Sequence, residues 1–328
     1  MAQGAGATAQ KLAAAMAAAA GWVVLGGGCQ PQVLPSKAVT AEARTGDAAG
    51  SDAAAVDAGG GDALGGQAGN DAAKAADAGE VVVVGSDKEP MVALPAGSYY
   101  RGASARQVQA GLGSDSELPQ HLVQLKGFAL DKHEVTVAQY MACMASGGCT
   151  AVTSAAANLG CNMDAPGRSS HPVNCVTWTQ AHAYCQWAGK RLPTDAEWEY
   201  AARGLDNTDD PRVYPWGQQL PDCSYAVYLD AAGNGCGQKA TWPVCSKPAG
   251  NSPQGLCDLA GNVLEFNSDW FYSYVTGIQT DPLGPASGTA KVIRGGSRAT
   301  PAEGLRASLR GDLEVGKSFS DIGFRCAF

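Results

Sequence analysis

The end of the chain contains three stretches that decide the fold: Val292-Ile-Arg-Gly-Gly-Ser297, Leu305-Arg-Ala-Ser-Leu-Arg310 and Ile322-Gly-Phe-Arg-Cys326. A Gly-Gly pair followed by Ser predicts a tight turn leading out of a strand, because glycine enters the left-handed backbone region without steric cost. The closing stretch has the pattern of a half-buried strand. The chain therefore ends in short strands joined by tight turns.

Two upstream motifs complete this pattern, Arg191-Leu-Pro-Thr-Asp-Ala-Glu-Trp-Glu-Tyr200 and Ala260-Gly-Asn262. In this order the motifs resemble the formylglycine-generating enzyme (sulfatase-modifying factor) family, over about residues 90–328. The resemblance implies an α+β fold, the family's variant of the C-type lectin-like fold, with low regular secondary structure and many disulfides. It also implies a chemistry, because members oxidise a cysteine of a target protein with two cysteines that follow Gly-Gly-Ser and bind copper(I), which prefers thiolates.

The positions of the two family cysteines are altered in this chain. Ser297 matches the family serine, but no cysteine stands between Ser297 and Arg310. By the resemblance the first cysteine's position is Thr300, and the segment that should hold the second is one or two residues short. A threonine supplies no thiolate. We therefore expect neither copper binding nor formylglycine synthesis.

Residues 1–28 resemble a secretory signal. Lys11 is their only charged residue, and an apolar run over residues 12–25 ends in Gly26-Gly-Gly-Cys29. A cysteine after small residues resembles the bacterial lipoprotein box, in which Cys29 would be lipidated. This predicts a membrane-anchored lipoprotein of the bacterial cell envelope. The alternatives are a secreted or periplasmic protein, or a disordered tail with a chance cysteine.

Residues 29–88 consist largely of Ala, Gly and Asp, a composition that cannot bury enough apolar surface to fold. They are predicted to be a disordered linker, followed by one domain over residues 89–328. Most of the net charge of −8 lies in the linker and says little about partners of the domain. We expect no nucleic-acid partner, and membrane association through the lipid anchor alone.

Ten of the eleven cysteines lie between Cys143 and Cys326. An even number without Cys-x-x-Cys spacing predicts up to five disulfides in an oxidising compartment, with zinc as the competing interpretation. The spacing leaves the connectivity open. The resemblance implies that Cys185 pairs with Cys326. It also implies that the family's second structural pair is missing, because Ala202 stands where one partner is expected.

Three helix starts are predicted by capping boxes, at Thr136-Val-Ala-Gln139, Thr177-Trp-Thr-Gln180 and Thr194-Asp-Ala-Glu197. Glycines should end these helices near Gly147, at Gly189 and at Gly204. Two segments ahead of the first helix favour β structure: an entry hairpin over residues 91–102 and a single strand over residues 121–131.

The stretch Asp258-Leu-Ala-Gly-Asn-Val-Leu-Glu265 is a candidate calcium site, because backbone carbonyls and a carboxylate are the hard oxygen ligands that calcium prefers. The family binds calcium in this segment, so the resemblance implies Glu265 as a ligand with carbonyls near Gly261 and Val263. The alternative is that Asn262 and Glu265 satisfy buried backbone amides. Val227 lacks the side-chain oxygen used by the family's other calcium site.

The remaining charged residues have structural interpretations. Acidic residues in the first turn of a helix are explained by capping and the helix dipole rather than by acid–base catalysis; they are Asp195, Glu197 and Glu199. Four arginines near the Ser297 segment suggest an anion-binding patch, but ion-paired structural arginines are favoured; they are Arg294, Arg298, Arg306 and Arg310.

The sequence favours a binding module that uses the altered catalytic groove for a peptide, a protein or a small ligand. Its support is the family scaffold combined with the lost cysteines. The alternative is an oxidoreductase of the same family with altered metal-dependent chemistry. The histidines, which lack the spacing of an iron-binding triad, supply no redox centre for it.

Overall fold

The computed structural model describes residues 80–328 except for 84, 153–159, 204, 206–207 and 209–210. The predicted signal, the lipidation site at Cys29 and most of the predicted linker lie outside the described residues. Within the described part, no helix has the length and apolar character needed to cross a membrane.

The described chain forms short strands and short helices separated by long irregular stretches. The strands are β1 (Val81–Val83), β2 (Pro90–Leu94), β3 (Gly97–Arg101), β4 (His121–Leu125), β5 (Phe128–Asp131), β6 (Leu264–Trp270), β7 (Gln279–Thr280), β8 (Ala290–Arg294), β9 (Arg310–Glu314) and β10 (Ile322–Gly323). The α-helices are α1 (Ala105–Gln109), α2 (Val137–Ala145), α3 (Trp178–Trp187) and α4 (Asp195–Arg203), with 3₁₀ turns at Asp115–Glu117, Pro248–Gly250 and Ala302–Leu305. This composition confirms the α+β fold class.

The strands make three small sheets, with orders β1-β2-β5, β3-β4-β7 and β10-β6-β8-β9. In the four-stranded sheet, β8 pairs antiparallel with β6 and β9, and β10 pairs parallel with β6. Its apolar side chains join residues of α2 and α3 in the core, among them Phe266, Ile293, Tyr184 and Phe324. The central strand β8 leads directly into Gly295 and Gly296.

The entry hairpin and the single strand over residues 121–131 were wrong predictions. β2 pairs with β5, whereas β3 pairs with β4, so the two halves of each segment belong to different sheets. Both chains change sheet at the same point, because Leu94 pairs with Phe128 in one sheet and Gly97 with Leu125 in the next. Pro95 lies beside Gly127 at this point, where a Cβ atom would be 3.3 Å from the carbonyl oxygen of Leu94.

The helix starts are confirmed. Thr136 and Thr177 each accept from the backbone amide of the residue three positions on, and Thr194 does the same with Glu197. The helix ends follow the glycines: α2 ends two residues before Gly147, at φ 80°, and α3 two residues before Gly189, at φ 73°. Gly204 lies outside the described residues.

Five disulfides cross-link the irregular stretches of the described chain. They are Cys143–Cys149, Cys161–Cys175, Cys185–Cys326, Cys223–Cys236 and Cys245–Cys257. The pairing of Cys185 with Cys326 is confirmed, and it ties α3 to the end of the chain across 141 residues. A cluster of Cys223, Asp230 and Cys236 has the proximity of a metal site, but its two sulfurs are bonded to each other.

Candidate functional site

The Ser297 segment, residues 295–305, begins where β8 ends. Gly295 and Gly296 have φ angles of 89° and 71°, in the left-handed region that favours glycine. A Cβ atom at Gly296 would lie 2.8 Å from the side chain of Leu305, and one at Gly295 would lie 3.1 Å from the ring of Trp198. The glycine pair is therefore required both by the turn and by the close packing around it.

Backbone hydrogen bonds fix the Ser297 segment against two neighbouring loops. The amide of Arg298 donates to the carbonyl of Asn262 at 2.9 Å, and the amide of Gly261 donates to the carbonyl of Gly295 at 2.9 Å. On the other side, the amide of Leu229 donates to the carbonyl of Thr300 at 3.0 Å. The segment is thus held in place by main-chain bonds.

Thr300 is buried and fills the position expected for the first family cysteine. Its hydroxyl accepts from the backbone amide of Ser297 at 2.9 Å, and the two hydroxyls lie 3.2 Å apart. The Ser297 hydroxyl also donates to Asp321 at 3.2 Å, and burial raises the pKa of that carboxyl. These groups form a short chain of neutral hydroxyls ending in a carboxylate, without a thiol.

The carboxylate of Glu265 is fully engaged by other side chains. Arg325 donates to its two oxygens at 2.7 and 2.8 Å, and the indole of Trp198 donates at 2.8 Å. The side chain of Asn262 accepts from the amide of Trp242 at 3.0 Å. Glu265 would therefore have to share its carboxylate with Arg325 and Trp198, and the calcium site of Glu265 with the carbonyls of Gly261 and Val263 stays a prediction.

Sequence reasoning missed the groups that surround Arg325. Glu134 and Asp258 are buried beside it, and burial raises the pKa of both carboxyls, in the case of Glu134 well above its usual range. Three carboxyl groups thus lie near one guanidinium, and among the described residues only Glu265 forms an ion pair with it. The raised pKa values lower the cost of burying Glu134 and Asp258, because each carboxyl takes up a proton more readily than it would in water.

Three of the four arginines near the segment are ion-paired, as the favoured interpretation predicted. Arg294 bonds Asp195 and Glu199, Arg310 bonds Asp195, and Arg306 bonds Glu117. Burial alone would raise the pKa of Asp195, but the arginines around it outweigh burial and hold it below its usual range. Of the three acidic residues, Glu197 has the capping role that the sequence predicted. Asp195 and Glu199 instead form ion pairs with buried arginines.

Arg298 differs from these three. Its side chain is buried, and within the described chain it forms no ion pair. It donates to the carbonyl of Lys239 at 3.3 Å and to the hydroxyl of Ser320 at 3.1 Å, while its Nε has no hydrogen-bond partner among the described residues. The anion-binding interpretation thus stays open at this one position.

A cleft of about 270 Å³ lies at the other end of β8. Trp178 stacks on His182 there, and the ammonium of Lys291 sits 4.1 Å above the Trp178 ring and 3.9 Å above the Trp270 ring. Trp178 and Trp270 line this cleft or border it and are accordingly only partly buried.

Comparisons with known proteins cover the region that holds this site. A family model described as a sulfatase-modifying factor enzyme 1-like domain matches residues 80–328. The formylglycine-generating enzyme of Streptomyces coelicolor is 34% identical over 288 residues, covering 72% of this chain and 88% of that protein. The structure of PvdO from Pseudomonas aeruginosa superposes with a TM-score of 0.61 at 26% identity, covering 77% of this chain and 99% of that one. Variable protein 1 of Treponema denticola gives 0.58 at 25%, covering 76% and 98%.

Proposed function

Because this chain belongs to the sulfatase-modifying factor enzyme 1-like family, we propose that it is a binding module built on that family's scaffold. Its ligand, a peptide, a protein or a small molecule, would bind beside the Ser297 segment. The alternative is an oxidoreductase of the family with altered metal-dependent chemistry. Its support is the similarity to formylglycine-generating enzyme.

The observation that carries the proposal is the state of the sulfur atoms. Thr300 is buried with its hydroxyl bonded to the Ser297 amide, and every cysteine within the described residues belongs to a disulfide. Oxidation by the family's chemistry needs a thiolate pair that can hold copper(I). In the described part of this chain, the Ser297 segment carries the hydroxyl groups of Ser297 and Thr300 in place of thiols.

An assay for formylglycine separates the two functions. Purified protein is incubated with copper(I) and a peptide that contains Cys-x-Pro-x-Arg, and the peptide is followed by mass spectrometry. The binding module leaves the cysteine unchanged and does not bind copper(I) tightly. Conversion of the cysteine would overturn the proposal in favour of the oxidoreductase.

Selection from a phage-displayed peptide library tests binding directly. Selected peptides should bind the wild-type protein and lose affinity for Ala299→Trp, because a bulky side chain at this half-buried position would change the surface next to Ser297. The matched control is Ala286→Trp, a bulky substitution at an exposed loop position away from the segment. Peptides that bind both variants equally would show that the ligand surface lies elsewhere.

Attachment to the cell envelope through a lipid on Cys29 completes the proposal. Its support is the small-residue stretch before Cys29 and the Ala/Gly/Asp-rich composition of residues 29–88 as a spacer. Labelled palmitate should enter the wild-type protein but not Cys29→Ala. Incorporation that persists in the variant would refute the anchor.

A further inference from the structure

Arg298 stands apart from the other buried arginines of the described chain. Six buried arginines each form an ion pair with a buried carboxylate; they are Arg101, Arg203, Arg294, Arg306, Arg310 and Arg325. Arg298 is held by the carbonyl of Lys239 and the hydroxyl of Ser320, both neutral acceptors. The nearby carboxylate of Asp321 forms no ion pair with Arg298, and a buried guanidinium without a directly bonded counter-ion is costly, so an external anion is the simplest group to complete it.

A second cation lies next to it. The Nη1 of Arg168 donates to the carbonyl of Thr241 at 3.0 Å and to Nδ1 of His171 at 3.1 Å, and Arg168 forms no ion pair within the described residues. Thr241 is two residues from Lys239, so the two anchoring carbonyls are within about 7 Å of each other along the chain. Neutral acceptors therefore orient two adjacent guanidinium groups.

The free donors favour an oxyanion. A guanidinium has five N–H donors in a planar fork that matches a carboxylate or phosphate. Arg298 uses two of its nitrogens for protein acceptors, and its Nε is buried without a partner. Burial lowers the pKa of Arg298, Asp321 partly offsets this, and Arg168 lowers it further. The repulsion between the two arginines is what a bound anion would relieve.

The net charge of the side chains around Arg298 indicates which kind of oxyanion would bind. The cations Arg168 and Arg298 face one nearby carboxylate, Asp321, which accepts from the Ser297 hydroxyl and lies too far from the guanidinium to form an ion pair. One net positive charge suits a monoanion better than a dianion. Residues 153–159 lie outside the described part of the chain, and their sequence contains no Asp or Glu that could supply the charge.

We infer that Arg298 and Arg168 form a carboxylate-binding site beside the Ser297 segment, and that the ligand of the proposed binding module presents its carboxylate there. The inference rests on the proposed function for the nature of the ligand, but the site itself is a property of these two side chains.

Acetate, added in place of chloride at constant ionic strength, is the first probe. In ¹⁵N-labelled protein the Nε–H signal of Arg298 should shift saturably, while that of Arg294, which is bonded to Asp195, should not. Arg168→Gln should weaken acetate binding by about tenfold, as expected for the loss of one charge-assisted hydrogen bond. Asp321→Asn should strengthen it, because a repelling charge is removed. An unshifted Arg298 signal, or tighter binding of phosphate than of acetate, overturns the carboxylate site.

The selected peptides separate this inference from the proposed function. Carboxylate recognition predicts that Arg298→Gln lowers their affinity, and that Arg298→Lys restores it only in part because lysine lacks the planar fork. Amidating the peptide C-terminus, or replacing its Asp and Glu by Asn and Gln, tells which carboxylate is recognised. Peptides that lose binding to Ala299→Trp but bind Arg298→Gln normally would leave the binding module standing and overturn the carboxylate site.

Discussion

Arg325 and Glu265 form a two-pronged ion pair in the interior, with the Arg325 nitrogens 2.7 and 2.8 Å from the two carboxylate oxygens. Both side chains are completely buried. Arg325 also donates to the carbonyls of Asp131 and Cys257, so one guanidinium joins β5, β6 and the disulfide-bonded loop before β6. The pair thereby connects the end of the chain to the strands that carry the site.

Removing Arg325 should destabilise the fold strongly. Arg325→Met leaves Glu265 buried without its cation, and breaking a buried pair in this way costs about 3–5 kcal/mol. The matched control is Arg191→Met, because the side chain of Arg191 is 39% exposed, although Glu197 is buried. That loss should be smaller, because water screens the exposed guanidinium and Glu197 still accepts from the amide of Thr194. Denaturant unfolding monitored by circular dichroism measures both, and equal losses would contradict the argument.

Calcium binding at the turn of residues 258–265 should be weak. Calcium affinity depends on the number of charged ligands, and Glu265 is committed to Arg325 and Trp198. Carbonyl oxygens alone are expected to give a Kd no tighter than about 10⁻³ M, the weak end of protein calcium sites. Isothermal titration of protein stripped with EGTA tests this. A micromolar Kd would mean that Glu265 leaves Arg325 to bind the ion.

The parts of the fold that the sequence predicted are those set by local chemistry. The capping threonines and the glycines after α2 and α3 each act within a few residues, so their patterns can be read directly. The change of sheet between β2 and β3 could not be predicted in this way. It occurs where Pro95 lies beside Gly127, which follows more than thirty residues later in the chain. No local sequence pattern distinguishes it from a hairpin turn.

The ion pairs of the candidate site likewise could not be predicted from local sequence. A lone Glu265 after a glycine turn resembles a calcium ligand until the position of Arg325, sixty residues away, is known. The four arginines around the Ser297 segment are alike in sequence, and only the partners supplied by α4 and the 3₁₀ turn at Asp115–Glu117 separate Arg298 from the others. Charge compensation in the interior is a tertiary property, so spacing along the chain does not reveal it.

The disulfides should contribute according to the loops they close. The Cys185–Cys326 bond spans 141 residues and the Cys143–Cys149 bond spans 6. Loop-closure entropy predicts losses of about 5 and about 2 kcal/mol when each pair is replaced by alanines. Denaturant unfolding of the two double variants measures the difference. If Cys143→Ala/Cys149→Ala is as unstable as the long-loop variant, chain entropy is not the main contribution.

Thr300 should stabilise the turn through its hydroxyl. Thr300→Val keeps the shape but leaves the buried Ser297 amide without its acceptor, which costs about 1–3 kcal/mol. Thr300→Ser keeps the hydroxyl and loses only a methyl group, for about 1 kcal/mol. Thermal unfolding should therefore place Thr300→Ser above Thr300→Val. The reverse order would show that packing of the Thr300 methyl group, and not its hydroxyl, stabilises the turn.

His171 should stay neutral well below its ordinary pKa. Burial, followed by the nearby charge of Arg168, lowers its pKa to about 4. Between pH 6.5 and pH 4 the unfolded chain then binds a proton that the folded chain does not, so this histidine makes the fold less stable as the pH falls through that range. Above pH 6.5 both states are neutral, and its contribution no longer changes.

Nuclear magnetic resonance titration of the His171 ring measures this pKa directly. Arg168→Gln should raise it, because a positive charge beside the ring is removed while burial remains. Since Arg168 donates to Nδ1, the ring proton should sit on Nε2. A pKa near 6.5 in the wild-type protein would mean that neither burial nor the charge of Arg168 acts on the ring.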